Sequence, residues 1–135
     1  MNDKVFLDSN ILIYSYSFTE SDKQQTARKL IIENNSFIST QVLQELVNTL
    51  TRKFKFNYDD ALRALEESCI NNYVLTNSEK TITSACKIAD RYGFSFYDSL
   101  IISSALESDC SILYSEDLNN GQVIERKLKI VNPFI

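Results

Sequence analysis

Lys4-Val5-Phe6-Leu7-Asp8-Ser9-Asn10-Ile11-Leu12 sets a short, unbroken apolar run against an acid and two residues that can begin a helix. A strand apolar at consecutive positions is one covered on both faces, as in a parallel sheet. Ser9 or Asn10 can cap a short helix to about Ser17. Outward from this phrase, strand signals and helix signals alternate. A helix from about Thr19 to Glu33 is followed by a strand at Ser36–Ser39 and a helix from Thr40 to about Lys53. The stripe of that helix reads Leu43, Leu46, Val47, Leu50 and Phe54. Asn57 caps a further helix through Cys69, and Tyr73–Leu75 forms a short strand. A helix from Ser78 to about Tyr92 closes at Gly93, and another runs from Tyr97 to about Glu107. Ser111–Tyr114 and Lys129–Val131 complete the strands. The pattern predicts an α/β fold: a mostly parallel sheet of four to five strands with helices on both faces.

The chain of 135 residues, 44% apolar with two Gly and one Pro, suits one globular domain over residues 1–135. No stretch approaches the roughly 20 apolar residues of a membrane span. Met1-Asn2-Asp3-Lys4 runs straight into the first strand without the pattern of a signal peptide, so a cytoplasmic location is expected. Cys69, Cys86 and Cys110 read as reduced core thiols. The chain has no His, which excludes Ser-His-Asp triads, Cys-His pairs and imidazole metal sites. A net charge of −4 means that any work on phosphates relies on local basic groups or bound cations.

Open α/β sheets place their sites beyond the carboxyl ends of the strands. The first strand ends at Asp8, and the strand at Ser111–Tyr114 runs into Ser115-Glu116-Asp117. Asp8 reads either as a helix cap or as a site residue. Glu116-Asp117 reads either as a polar turn or as part of the same site. Asp98 shares a helix face with Ile101, Ile102, Ala105 and Leu106, where an ionised acid is costly unless it caps, pairs or binds a cation. Glu45 points away from its helix stripe, as a solvated Glu would.

Together these acids form a pattern that resembles the PIN-domain ribonucleases, particularly the VapC-like toxins. Phe6-Leu7-Asp8-Ser9-Asn10-Ile11-Leu12, Ser39-Thr40-Gln41-Val42-Leu43-Gln44-Glu45-Leu46, Tyr97-Asp98-Ser99-Leu100-Ile101 and Leu113-Tyr114-Ser115-Glu116-Asp117-Leu118 follow that family's four acidic phrases in order. The resemblance implies a metal-dependent endoribonuclease with Asp8, Glu45, Asp98 and Asp117 as catalytic and metal-holding residues. Asn10 and Glu116 are supporting positions. It also implies a homodimer and an antitoxin partner that covers the cleft.

Independently of the family, four carboxylates within about 5 Å repel by roughly 3 kcal/mol per pair at an effective dielectric of 20. Such a cluster needs a divalent cation or raised pKa values. Oxygen-only ligands suit Mg²⁺ or Mn²⁺. Arg52, Lys53 and Lys55 read either as a cationic cluster for RNA backbone or as a solvated basic helix end that complements the dipole, and Arg126, Lys127 and Lys129 form a second cluster that could hold RNA. Tyr14, Tyr16 and Phe18 read first as core, with base stacking or a subunit contact as other uses. A haloacid-dehalogenase-like phosphotransferase fits poorly, because it needs a second Asp where Asn10 stands. A response-regulator receiver fits poorly too, because Tyr73-Val74-Leu75-Thr76-Asn77 lacks the acid that its third strand must end on. Two alternatives stand beside the toxin: an inactive PIN-like RNA-binding or scaffold module, and a housekeeping RNA-processing nuclease.

Overall fold

Val5, Phe6 and Leu7 are all fully buried, so both faces of the first strand are covered, as its consecutive apolar residues require. The computed structural model describes residues 4–135. Its elements follow in chain order: β1 (Lys4–Leu7), α1 (Ser9–Ser15), α2 (Ser21–Glu33), β2 (Asn35–Ser39), α3 (Thr40–Arg52), α4 (Tyr58–Asn71), β3 (Tyr73–Leu75), α5 (Glu79–Tyr92), α6 (Phe96–Glu107), β4 (Ile112–Tyr114), β5 (Val123–Ile124) and β6 (Leu128–Val131). The sheet has six strands in the order β3-β2-β1-β4-β6-β5. All neighbours pair in parallel except β5, which runs antiparallel to β6. The chain builds outward from β1 to β3, then crosses back to place β4 on the other side of β1. This reversal opens a crevice at the carboxyl ends of β1 and β4, where open α/β sheets bind ligands.

The expected four to five strands fall one short, because β5 has only two residues. It joins β6 through Glu125 and Arg126, both at positive φ, with the Lys127 N–H donating to the Ile124 carbonyl. A tight hairpin of this kind usually carries Asn-Gly or Asp-Gly, and its absence hides the turn. Two side chains of α5 steady the turn: Arg91 donates to both Glu125 carboxylate oxygens at 2.8–2.9 Å, and the Tyr92 hydroxyl donates to one of them at 3.2 Å.

Several local expectations shift. The core stripe of α3 is Val42, Leu46 and Leu50, while Leu43 and Val47 are half-buried in a groove with Tyr58 and Leu65. The helix carries two adjacent apolar stripes, which periodicity alone merges into one. In α6 the whole run Ser99–Ala105 is buried, so this is a central helix packed against α5 and over β2. Cys69 and Cys86 are exposed; Cys110 alone is a core thiol. Burial pushes the Cys110 thiol up to about 12. Tyr14 is tied by its hydroxyl to Glu116 and meets Phe134 edge-on, and Tyr16 bonds Glu67; only Phe18 of that trio lies open. Gly93 stands at φ 79°, the left-handed position that ends α5. Among the described residues, no helix is long and apolar enough to cross a membrane.

Candidate functional site

At the end of β1 the Asp8 N–H continues the ladder to the Tyr114 carbonyl, and the Asp8 side chain turns to cap α1. The cap is thus Asp8 itself, rather than Ser9 or Asn10. One carboxylate oxygen accepts from the Ser9 N–H at 2.7 Å, and the other accepts from the Ser115 hydroxyl at 2.8 Å. The residue is only 6% exposed. Burial raises the Asp8 carboxyl to about 6; the Ser115 and Ser9 bonds oppose the rise, and the charges of Glu45 and Asp117 add to it.

Glu45 stands in the second turn of α3. Its carboxylate accepts from the Ser9 hydroxyl at 2.7 Å and from the Gln41 amide at 2.9 Å. Ser9 thereby links the β1 end to α3. Asp98 sits in the first turn of α6 but is not its cap: the Ser95 hydroxyl oxygen accepts from the Asp98 N–H at 3.2 Å. Its carboxylate complements the positive end of the helix. Asp117 is exposed beyond β4 and accepts from the Asn10 amide at 3.0 Å. The Asp117 N–H donates to the Ser115 hydroxyl oxygen at 3.2 Å, so Ser115 bridges Asp8 and the Asp117 backbone.

These four acids come from four separate segments and line one cleft of about 410 Å³, with Ser9, Gln41, Gln44, Tyr97 and Ile101. Asn10 borders it through Asp117. Glu116 does not line it. Glu116 turns instead to Lys23, 2.6 Å away, and to the Tyr14 hydroxyl at 2.6 Å. Partial burial raises its carboxyl, but these two partners outweigh that and hold it below its ordinary value. Adjacent acids on one loop therefore separate, one into the cleft and one into a brace behind it. Arg52, Lys53 and Lys55 are exposed around the end of α3 and line no part of the cleft. Arg52 is seven residues past Glu45, about 10 Å along the helix.

Ser9, Ser115 and Gln41 are the site residues that pattern reading passed over. Gln41 is one helical turn before Glu45, a spacing that pairs side chains. Its Oε1 is buried and accepts no bond among the described residues, and the buried Ser99 hydroxyl likewise has no partner. An orphan of this kind costs about 1–3 kcal/mol. Among the described residues, no three acidic or cysteine side chains close on a point as a tight metal cage would. The donors are all oxygen and are spread around a cleft. That suits Mg²⁺, which keeps several of its waters, or Mn²⁺, better than Zn²⁺.

The model of the PIN domain matches residues 5–123. No curated protein sequence matches the chain. Among solved structures, a toxin–antitoxin complex from Klebsiella pneumoniae contains a chain of TM-score 0.73 and 16% identity, with 96% of this chain and 97% of that one covered. VapC20 of Mycobacterium tuberculosis, described as a sarcin-ricin-loop-cleaving toxin, superposes with TM-score 0.69 at 17% identity over 84% of this chain and 89% of its own. FitAcB from Neisseria gonorrhoeae gives 0.68 at 16%, with 96% and 98% covered. At such identities the superpositions speak for the fold, and the family rests on the sequence match across most of the chain. The chain belongs to the PIN-domain family.

Proposed function

We propose that the protein is a Mg²⁺- or Mn²⁺-dependent endoribonuclease and the toxin of a toxin–antitoxin pair. The observation that carries this reading is the convergence of Asp8, Glu45, Asp98 and Asp117 on one cleft at the strand-order reversal. When bound there, a divalent ion neutralises charge at the scissile phosphate and eases deprotonation of an attacking water. Asp8 and Asp98 are the main ligands; Glu45 and Asp117 complete the set or orient water. Asp8 is pinned at both carboxylate oxygens, so it offers its charge from a fixed place. Burial is the main cause of its raised proton affinity, and the nearby Glu45 and Asp117 charges add to it; a bound cation would offset both. Asn10 holds Asp117 at the cleft rim.

RNA is the proposed substrate, with Arg52, Lys53 and Lys55 as backbone contacts outside the cleft. A homodimer and an antitoxin that covers the acidic cleft are part of the same reading. Structural neighbours crystallised as toxin–antitoxin complexes support it.

With Mg²⁺ or Mn²⁺ the purified protein should cut single-stranded or looped RNA, and EDTA should stop it. A broad panel of structured RNAs left intact with either metal would overturn the enzymatic reading in favour of an inactive RNA-binding module. Light scattering should give a particle near twice the monomer mass of 15.5 kDa.

A further inference from the structure

We infer that Gln41 is a positioning residue of the cleft: its amide nitrogen ties the Glu45 carboxylate to the peptide that carries Asp98. This deepens the metal-nuclease reading and rests on it. The Gln41 Nε2 donates to Glu45 Oε1 at 2.9 Å and to the Tyr97 carbonyl at 3.2 Å. Both partners are acceptors only, so the amide can face them in one orientation: nitrogen inward, Oε1 turned away. The Tyr97 carbonyl shares its peptide plane with the Asp98 nitrogen, and that nitrogen donates to Ser95 Oγ. The plane is therefore held on both sides, by α3 through Gln41 and by the cap of α6 through Ser95. Gln41 is thus a direct polar link from α3 to the first turn of α6.

The cost of this arrangement shows what it is for. Gln41 is only 6% exposed, and its Oε1 accepts nothing among the described residues. A Met of the same length would fill the space without burying an unmet acceptor. Packing alone gives no reason for an amide here. Holding two acids from different helices at a set separation does.

The experiment compares wild type with Gln41→Met. Mn²⁺ binding is measured by titration calorimetry, melting is followed in EDTA, and RNA cleavage is resolved into kcat and KM. Mn²⁺ affinity should fall about tenfold or more, the scale seen when a partner that orients a metal ligand is lost. The melting temperature in EDTA should stay level or rise, and the cleavage loss should appear in kcat with KM little changed. A merely structural glutamine would lower the melting temperature and leave Mn²⁺ affinity alone. Affinity equal to wild type overturns the proposal whatever the melts show. Should Gln41→Met fail to fold, Gln41→Asn, polar but too short to span both acceptors, carries the same comparison. A wild type that binds no Mn²⁺ at all removes the metal-nuclease reading and this inference with it, a result distinct from one in which only the variant is unaffected.

Discussion

The β1–α1 junction around Asp8 and the first turn of α6 around Asp98 do superficially similar things. Each puts an aspartate beside a helix start and on the wall of the same cleft. Asp8 combines two jobs, capping α1 and lining the cleft, and it does both while buried with both its oxygens bonded. At Asp98 the jobs are divided, since Ser95 caps and the half-buried carboxylate is left for the cleft. Each aspartate also has a buried serine close by. Ser115 is bonded on both sides, whereas the Ser99 hydroxyl is bonded to nothing among the described residues. An acid free of structural duty can be altered with little effect on folding; an acid that also caps cannot.

The largest expected effect is at the free acid. Asp98→Asn should lower RNA cleavage by on the order of a hundredfold or more, because a charged ligand is lost. Its stability in EDTA should change by no more than about 1 kcal/mol, since Ser95 still caps α6. Thermal melts with EDTA and with Mn²⁺ check both halves: Mn²⁺ should stabilise the variant less than wild type. A drop in stability that is equal in both buffers would make Asp98 structural and erase the contrast with Asp8.

The second test uses pH. The Asp8 carboxyl sits at about 6 when folded, against an ordinary value of 3.8. Between those values the folded chain holds more protons than the unfolded one. The stability contributed by this group is therefore fully present below about pH 4 and is lost as pH rises through about 6. The loss amounts to about 3 kcal/mol in metal-free protein. Urea unfolding from pH 4 to 8 in EDTA should show the fall, and Asp8→Asn should flatten it. A curve for that variant parallel to wild type would show that burial at Asp8 is not the source.

How much of this contrast is legible in sequence differs between the two junctions. Val5-Phe6-Leu7 announces a doubly covered strand because covering both faces demands consecutive apolar residues, and the structure buries all three. Gly93 announces a helix end because the left-handed turn favours it. The four acids named from their phrases are brought to one cleft. Which residue caps α1 was not legible: Asp8, Ser9 and Asn10 are all competent caps, and the Asp8 carboxylate that does so is also bonded by Ser115, more than a hundred residues away. The fate of Glu116 depended on Lys23 and Tyr14, equally remote. β5 escaped because its turn uses Glu125 and Arg126 where a glycine would have marked it. Local chemistry shows in sequence; the selection among equivalent local options is made by tertiary partners.

The third test acts on the bonded serine. Ser115→Ala removes the donor to Asp8 and the acceptor for the Asp117 N–H. It should cost about 1–3 kcal/mol at pH 8. The cost should shrink toward pH 4, where Asp8 is protonated and needs the donor less. Since the Ser115 bond holds the Asp8 carboxyl down, its loss should also carry the falling limb of the stability curve to higher pH. Equal cost at both pH values would mean that Ser115 acts through packing alone.

The smallest effect is expected at the other serine, and its sign matters more than its size. Ser99 is fully buried in α6, next to Asp98, and its hydroxyl has no partner among the described residues. Ser99→Ala removes an unmet polar group and replaces a middling helix former with the best one. The cavity left by one hydroxyl is slight. Stability in EDTA should hold level or rise by up to about 1 kcal/mol, with Mn²⁺ affinity and cleavage unchanged, because Ser99 does not line the cleft. Urea unfolding of the two serine variants side by side then gives opposite signs at two buried serines, one for each acid. A clear loss of stability at Ser99 would show that its hydroxyl has a partner in solution. The Asp98 junction would then be braced as the Asp8 junction is, and the proposed difference between them would reduce to the caps alone.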